Sequence, residues 1–307
     1  MTKQMTELAY IFPGQGSQYV GMGKSLPPHS AQARELYRKA DEIVGYPLSA
    51  VSFDGPEEKL RQTNITQPAI FVHSIALTRM LEGGEAGMAA GHSLGEYSAL
   101  VYAGALTFED GLKLVKLRGE LMLRAGQLRP GTMAAVIGLG ATAVEELCAE
   151  AGVVQCANFN SPGQIVISGS VDGVRRAMEL ARARGAKLVK ELVVSGAFHS
   201  ELMGSARDEF RSALQSAPIS DARIPVYANV SARPVRKADE IRTLLGEQLT
   251  SPVRWEESIL RMAGDGAKTF VEIGPGKVLQ GLVKRIAPTA DVRGIDTIED
   301  IPRAVPA

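Results

Sequence analysis

Gly91-His92-Ser93-Leu94-Gly95 fits G-x-S-x-G, the pattern of a serine on a sharp turn between a strand and a helix. Before it, the small apolar residues Met88 to Ala90 are typical of the end of a buried strand. After it, Glu96 to Ala103 can form one or two helical turns before Gly104 ends them. The glycines let the backbone turn tightly, so that the serine hydroxyl is exposed above a sheet. The stretch therefore predicts an α/β fold in which Ser93 is a nucleophile.

A nucleophilic serine on such a turn also needs donors for the oxyanion of a tetrahedral intermediate. The N–H of the residue after the nucleophile, Leu94, is the first candidate. Gln15 lies in the turn Gly14-Gln15-Gly16, which follows an apolar run, and is a candidate for the second donor through its N–H or its amide. A nucleotide-binding interpretation of this turn is disfavoured, since Tyr19 stands where a third glycine would be and no Gly-Lys-Ser/Thr ending follows.

The composition excludes several classes of function. The chain has 307 residues with 34 Lys+Arg and 34 Asp+Glu, so its charge does not favour nucleic acid or an anionic membrane as a partner. Met1 to Phe12 has no basic region followed by a long apolar run, so we do not expect a signal peptide, and no apolar stretch reaches the roughly 18 residues needed to span a bilayer. Cys148 and Cys156 have no zinc spacing and no histidine nearby, which indicates reduced, buried thiols. We therefore expect a cytoplasmic enzyme with no metal, no nucleic acid and no membrane partner.

Alternating apolar strands and helices predict a mostly parallel sheet that is covered by helices on both faces. Leu8 to Phe12 is expected to be the first strand, and Thr269 to Ile273 a late buried strand. A helix is expected to begin near Thr66. Further along the chain than the serine turn, Thr107 can cap another helix. The tail from Asp296 is acidic and contains proline, and we expect it to be loosely attached.

A different pattern of short strands and helices occupies the middle of the chain. Between Thr132 and Val194 the order is βαββαβ, which is that of a ferredoxin-like subdomain. The larger fold continues on both sides of it, so the subdomain is an insertion. The sequence thus predicts a discontinuous core of residues 1–127 and 195–307 and a small subdomain of residues 128–194.

His199 is the candidate general base among the four histidines. His29 follows two prolines in a loop, and His73 lies among apolar helix residues, where a hydrogen-bonded core histidine is expected. His92 adjoins the serine but points in another direction, so it is expected to shape the turn or contact an acyl group. His199 stands in a loop after a predicted strand, a position where catalytic groups concentrate. Activity is expected to fall as the pH drops through the pKa of the His199 imidazole, which is about 6.5 when unperturbed.

The acid of a hydrolase triad is not recognisable in this sequence. The acidic residues between Ser93 and His199 lie mainly on amphipathic helices, and none is placed at the end of a strand of the main sheet. A main-chain or amide carbonyl can orient the imidazole equally well, because the second N–H requires only an acceptor.

The chain resembles the malonyl-CoA:acyl carrier protein transacylases. The resemblance covers residues 8 to about 285, nearly the whole chain, and rests on motifs in a fixed order: Phe12-Pro13-Gly14-Gln15-Gly16-Ser17-Gln18, Gly91-His92-Ser93-Leu94-Gly95-Glu96-Tyr97-Ser98-Ala99-Leu100, Asn160-Ser161-Pro162-Gly163-Gln164, Gly196-Ala197-Phe198-His199 and Val271-Glu272-Ile273-Gly274-Pro275-Gly276. The family implies a hydrolase-like α/β core with a ferredoxin-like insert.

The resemblance also implies roles for single residues. Ser93 matches the acylated serine and His199 the base, while Gln15 and Leu94 match the residues whose N–H groups form the oxyanion hole. Arg118 matches the arginine that holds the free carboxylate of malonate.

Three further residues complete the candidate site. Gln248 matches, by the same resemblance, the residue whose carbonyl orients the histidine. His92 is a candidate for substrate contact, and Phe198, beside the base, is expected to crowd the α-carbon of the acyl group.

The function implied is transfer of a malonyl group from malonyl-CoA to the phosphopantetheine thiol of an acyl carrier protein through a malonyl-serine intermediate, in fatty acid biosynthesis. No cofactor is implied, and we expect a monomer. The alternatives are a free-standing acyltransferase of a polyketide synthase, a serine esterase, which would not need Arg118, and a non-catalytic carrier-protein-binding module, against which the intact Ser93 and His199 argue.

Overall fold

The strand before the serine turn lies inside a mostly parallel sheet in the computed structural model, which describes residues 7–81 and 85–301. The strands of the described part are β1 (Leu8–Phe12), β2 (Met88–Gly91), β3 (Gly131–Ile137), β4 (Val154–Ser161), β5 (Gln164–Ser170), β6 (Leu188–Glu191), β7 (Val226–Tyr227), β8 (Pro234–Val235), β9 (Thr269–Ile273) and β10 (Asp291–Ile295).

The α-helices of the same part are α1 (Leu26–His29), α2 (Ala31–Val44), α3 (Leu48–Asp54), α4 (Glu57–Leu60), α5 (Thr63–Met80), α6 (Gly95–Tyr102), α7 (Phe108–Leu128), α8 (Ala141–Ala151), α9 (Val171–Ala183), α10 (Gly204–Ser216), α11 (Ala238–Glu247), α12 (Trp255–Gly264) and α13 (Val278–Ile286). Short 3₁₀ turns cover Glu201–Met203 and Ile298–Asp300.

The larger sheet has the strand order β10-β9-β1-β2-β7-β8. Its neighbouring strands are parallel except for β7 and β8. Along β1, Tyr10 and Phe12 belong to one core cluster, whereas Ala9 and Ile11 belong to another. Because successive side chains point to opposite faces, β1 is buried on both faces, which explains its uninterrupted apolar sequence. The predicted α/β architecture, a mostly parallel sheet covered by helices, is confirmed.

The serine turn depends on glycines at both of its ends. A Cβ added to Gly91 would lie 1.9 Å from the carbonyl carbon of Gly95, and a Cβ added to Gly95 would lie 2.1 Å from the carbonyl oxygen of Phe12. Helix α6 therefore begins directly against the backbone of β1 and β2, closer than any side chain allows.

The smaller sheet is antiparallel, with the order β4-β5-β3-β6, and carries α8 and α9. Its chain order is the predicted βαββαβ, and its strand order is that of a ferredoxin-like sheet. Ala134 and Val136 pack beneath α8 and α9, while Met133 and Val166, on the opposite face, belong to the core cluster of the larger sheet. The small sheet thus lies over the main core; the division at residues 128 and 194 stays a prediction.

Helix α5 begins at Thr63, one turn before the predicted start near Thr66. The prediction placed Pro68 in the first turn, because proline has no N–H to donate. In the structure the carbonyl of Asn64, four residues before Pro68, accepts a hydrogen bond from the Tyr46 hydroxyl at 3.1 Å. The side chain of Tyr46, in the short segment between α2 and α3, therefore supplies the donor that proline removes.

The prediction of a loosely attached tail is wrong for the described residues up to Ile301. The Asp296 carboxylate accepts hydrogen bonds from the Tyr19 hydroxyl and the Gly276 N–H, both at 3.0 Å. It also lies 3.1 Å from Nε2 of His73, the buried helix histidine, which is hydrogen-bonded as predicted. Residues 302–307 lie outside the described part of the chain.

The close approach at Gly95 gives a stability test. We expect Gly95→Ala to lower the free energy of unfolding by about 1–3 kcal/mol, since the new methyl group overlaps backbone atoms that cannot move aside. The matched control is Gly281→Ala in α13, where a Cβ meets no atom within 4 Å. That change should raise the free energy of unfolding by up to about 1 kcal/mol, the gain in helix propensity. Urea unfolding measures both; equal midpoints for the two variants would contradict the packing described.

Candidate active site

Ser93 lies at the carboxyl end of β2 with a backbone conformation that L-residues rarely adopt. Its φ is 51°, in the left-handed region. The side chain of Asn229 spans the turn: its Oδ1 accepts the Ser93 N–H at 2.7 Å, and its Nδ2 donates to the Gly91 carbonyl at 2.7 Å. Strained residues of this kind persist where the surroundings hold them, commonly at functional sites.

His199 is the histidine that contacts the serine. Its Nε2 lies 2.7 Å from Ser93 Oγ, and its Nδ1 lies 2.9 Å from the Gln248 carbonyl oxygen. Because a carbonyl only accepts, Nδ1 carries the proton, and Nε2 of the neutral ring is free to accept the serine proton. His199 also has a positive φ, 57°. Ser93, His199 and Gln248 are thus joined by consecutive hydrogen bonds, and the main-chain carbonyl of Gln248 takes the position that an acid has in a catalytic triad.

Burial and a neighbouring cation control the protonation of His199. The residue is 3% exposed. Burial, together with the nearby Arg118 guanidinium, lowers the pKa of its imidazole to about 3, although the Gln248 carbonyl partly opposes the shift. The loss of activity on protonation of His199 stays a prediction, and the lowered pKa moves the pH at which we expect it well below 6.5.

Two N–H groups face the cavity without an acceptor. Across residues 7–81 and 85–301, the backbone N–H groups of Gln15 and Leu94 make no hydrogen bond. The side chain of Gln15 donates to Thr63 Oγ1 at 3.2 Å, which leaves the main-chain N–H as the group available to a ligand. Both residues line the same cavity as Ser93. Such unpaired N–H groups can stabilise a developing oxyanion.

Arg118 is a buried cation beside the nucleophile. It is 1% exposed and donates to Ser93 Oγ at 3.0 Å, to Gln248 Oε1 at 3.0 Å and to Gln67 Oε1 at 2.7 Å. Its Nε has no partner among the described residues, and its described contacts include no ion pair with a carboxylate. A desolvated guanidinium that is met only by neutral oxygens can bind an anionic group in two-point fashion.

His92 and Phe198 lie at the edge of the same site. The Nε2 of His92 is 2.8 Å from Asn160 Oδ1, and its ring meets that of Trp255 edge to face at 5.5 Å between centroids. Burial lowers the pKa of His92, which favours the neutral ring. Phe198 is buried next to His199 and lines the cavity.

The cavity itself has a volume of about 230 Å³ and lies between the two sheets. Its polar end holds Ser93, His199 and Arg118, and its apolar walls include Met133 and Val166 from the small sheet. A pocket with convergent polar groups at one end and apolar walls elsewhere suits a small acyl group.

Sequence reasoning missed Glu96, Asn229 and Gln67. Glu96 is the one charged residue in helix α6, whose other residues are uncharged and mostly buried. A charged residue in such a helix indicates a functional role. Asn229 comes two residues after β7, at the edge of the sheet where parallel strands place functional side chains. Gln67 carries no signal of its own, since it lies on the buried face of a helix among apolar residues.

Other kinds of site are absent from the described residues. Between residues 7 and 301, apart from 82–84, no cluster of histidine, cysteine, aspartate and glutamate is suited to a metal ion. Within the same residues, no helix combines the length and apolar character that crossing a membrane requires.

Comparison with known proteins agrees with this geometry. Residues 9–304 match the family described as the acyl transferase domain. The malonyl CoA-acyl carrier protein transacylase of Bacillus subtilis is 47% identical over 304 residues, which cover 96% of each chain. A crystal structure of an acyl carrier protein S-malonyltransferase from Vibrio cholerae superposes with a TM-score of 0.93 at 42% identity, covering 97% of this chain and 99% of that one.

A further solved structure is a malonyl-transacylase in complex with a holo type II PKS acyl-carrier protein; it has a TM-score of 0.94 and 38% identity, covering 98% of this chain and 99% of that one. Because the family match and these similarities extend over nearly the whole chain, the protein belongs to the acyl transferase family and, within it, to the malonyl CoA-acyl carrier protein transacylases.

Proposed function

We propose that this protein transfers a malonyl group from malonyl-CoA to the phosphopantetheine thiol of an acyl carrier protein, in fatty acid biosynthesis. The observation that carries the proposal is Arg118, a buried cation beside Ser93 Oγ without a carboxylate partner among the described residues. An acyl group that ends in a carboxylate would supply that partner.

In the proposed acylation step, Ser93 is the nucleophile and His199 the general base. Oγ attacks the thioester carbonyl while its proton passes to His199 Nε2, over the 2.7 Å that separates the two atoms. The N–H groups of Gln15 and Leu94 receive the oxyanion. The intermediate then expels the CoA thiolate, which takes the proton from His199 and leaves a malonyl ester on Ser93.

The second half-reaction reverses these roles. The thiol of the carrier protein gives its proton to His199 and attacks the ester, and Ser93 Oγ recovers the proton as the new thioester leaves. Gln248, through its carbonyl, keeps the imidazole in the tautomer that both steps need.

Substrate contacts are proposed for the residues that surround the serine. Arg118 pairs with the malonate carboxylate. His92 contacts the acyl group as a neutral ring, and Phe198 limits the space at its α-carbon.

The proposed reaction needs no metal ion or cofactor, because both half-reactions use only side chains and main-chain donors. We further propose that the protein acts as a cytoplasmic monomer. Its two-part core, residues 1–127 and 195–307, would carry the catalytic residues, and residues 128–194 would cover the cavity.

A second pathway is supported by one of the similar structures. That malonyl-transacylase is bound to a type II PKS acyl-carrier protein, so the same chemistry can serve a polyketide synthase. Transfer rates to carrier proteins of the two pathways, measured side by side, separate these settings. A serine esterase is the weaker candidate, since ester hydrolysis gives no reason to bury Arg118.

Removal of the nucleophile tests the covalent intermediate. We expect Ser93→Ala to abolish both the malonyl adduct and all transfer, because no other hydroxyl among the described residues is hydrogen-bonded to His199 Nε2. Intact-mass spectrometry after mixing with malonyl-CoA measures the adduct. A full adduct on the variant would place the nucleophile elsewhere.

The pKa of His199 predicts an unusual pH dependence. Protonation inactivates a base, and a pKa lowered to about 3 moves that protonation far below pH 6.5. Acylation by malonyl-CoA in a single turnover should therefore persist at about pH 5, where an ordinary histidine would be mostly charged. His199→Ala should lose acylation, whereas the control His73→Ala, at a buried histidine outside the cavity, should mainly lower stability. A fall in acylation centred near pH 6.5, with the protein folded by circular dichroism, would contradict this.

Arg118 distinguishes a malonyl transferase from an enzyme that accepts any acyl group. Loss of one partner of a desolvated charge pair costs about 3–5 kcal/mol, so Arg118→Ala should lower the malonyl-to-acetyl ratio of kcat/KM by hundreds-fold. Arg118→Lys should restore only part of the ratio, since lysine cannot form the planar two-point contact. If the folded alanine variant keeps the native ratio, the carboxylate is held by another residue.

A further inference from the structure

Glu96 is a buried carboxylate beside the reacting groups that the mechanism above leaves without a role. It lies in the first turn of α6, three residues after Ser93, and is 3% exposed. Burial of a carboxylate without a purpose is costly, and burial raises the pKa of Glu96 to about 7.

One oxygen of Glu96 joins two segments of the site. Its Oε2 accepts from Gln248 Nε2 at 2.7 Å and from the backbone N–H of Asn229 at 3.1 Å. The amide of Gln248 also donates to the Ser93 carbonyl at 3.1 Å, while its Oε1 accepts from Arg118 at 3.0 Å. Glu96 therefore contacts both Gln248, whose carbonyl orients His199, and Asn229, whose side chain spans the serine turn.

We propose that Glu96 is a positioning residue, which fixes the orientation of the Gln248 side-chain amide and thereby the placement of Arg118 relative to Ser93. The inference rests on the proposed function, because it concerns how that reaction's groups are aligned.

The donors and acceptors around Gln248 determine which way its amide faces. An amide can turn over and exchange its oxygen and its NH₂ group. With the carboxylate in place, the turned amide would put NH₂ against the Arg118 guanidinium and oxygen against the Glu96 oxygen, and both contacts repel. The Glu96 oxygen therefore adds to the Ser93 carbonyl and the Arg118 guanidinium in favouring one orientation, in which Gln248 presents Oε1 to Arg118.

The second hydrogen bond extends the same control to the nucleophile. The Asn229 backbone that donates to Glu96 carries the side chain that holds both ends of the turn, at Gly91 and Ser93. Loss of the Glu96 acceptor would loosen the turn and the arginine together, and a misplacement of about 1 Å in such a site can cost about 100-fold in rate.

The test compares Glu96→Gln with Glu96→Leu in the full chain. Glutamine can place its amide oxygen where Oε2 accepts both hydrogen bonds, whereas leucine keeps the volume and accepts none. We expect Glu96→Leu to lower kcat for malonyl transfer by about 100-fold with a smaller change in KM, and Glu96→Gln to retain most of the rate. Glu96→Ala carries the same test if the leucine variant does not fold.

Glu272 provides the matched control. It is also buried, and its carboxylate accepts from the N–H groups of Leu279 and Gln280 at 3.0 and 3.1 Å, at the start of α13. Glu272→Gln and Glu272→Leu should lower the melting temperature but keep a near-native kcat.

Each outcome decides between the alternatives. A native kcat in folded Glu96→Leu overturns the positioning role, and so does an equal loss in the leucine variants of Glu96 and Glu272. An equal loss in Glu96→Gln and Glu96→Leu would mean that the negative charge matters rather than the orientation of Gln248, which also overturns it. Failure of the native protein to form a malonyl adduct would instead overturn the proposed function.

Discussion

A guanidinium that is withdrawn from water must be surrounded by oxygen acceptors, and this requirement at Arg118 organises the site. The acceptors come from separate parts of the chain: Gln67 on α5, Ser93 on the turn after β2, and Gln248 just after α11. Each contact therefore ties one of these segments to α7, which carries Arg118. All three acceptors are neutral. The buried guanidinium therefore still favours the binding of an anion, and it is already in place before a ligand binds.

The backbone strain at Ser93 and His199 is tolerated because rigid elements surround both residues. The turn that carries Ser93 is held between β1, β2 and α6 by contacts that only glycine permits, and Asn229 closes it from β7. His199 is held through its ring by Gln248 and Ser93 rather than by its own element. Gln248 contacts both residues, since its carbonyl accepts from His199 and its amide donates to the Ser93 carbonyl, so the two reacting side chains have little freedom to move apart.

Much of this arrangement was predictable from the sequence, because the reactive residues lie within short sequence patterns that indicate their local structure. The G-x-S-x-G stretch, the βαββαβ pattern and the loop position of His199 each follow from short-range chemistry, and the resemblance supplied Arg118 and Gln248. What could not be predicted depends on contacts between distant segments. The first turn of α5 accepts a hydrogen bond from Tyr46, and the attachment of Asp296 involves Tyr19 and Gly276. The link from Glu96 to Gln248 spans more than 150 residues of sequence.

The low basicity of His199 has a consequence for the order of events in catalysis. Part of the lowering of its pKa comes from the positive charge of Arg118. Under the proposed function, a malonyl carboxylate that pairs with Arg118 cancels this charge at the moment of binding, so the imidazole becomes a stronger base only when the correct acyl group is present. An acetyl group or a water molecule brings no such compensation. Selectivity would then arise in the reactivity of the base as well as in affinity, and the substrate itself would act as the activator of the enzyme.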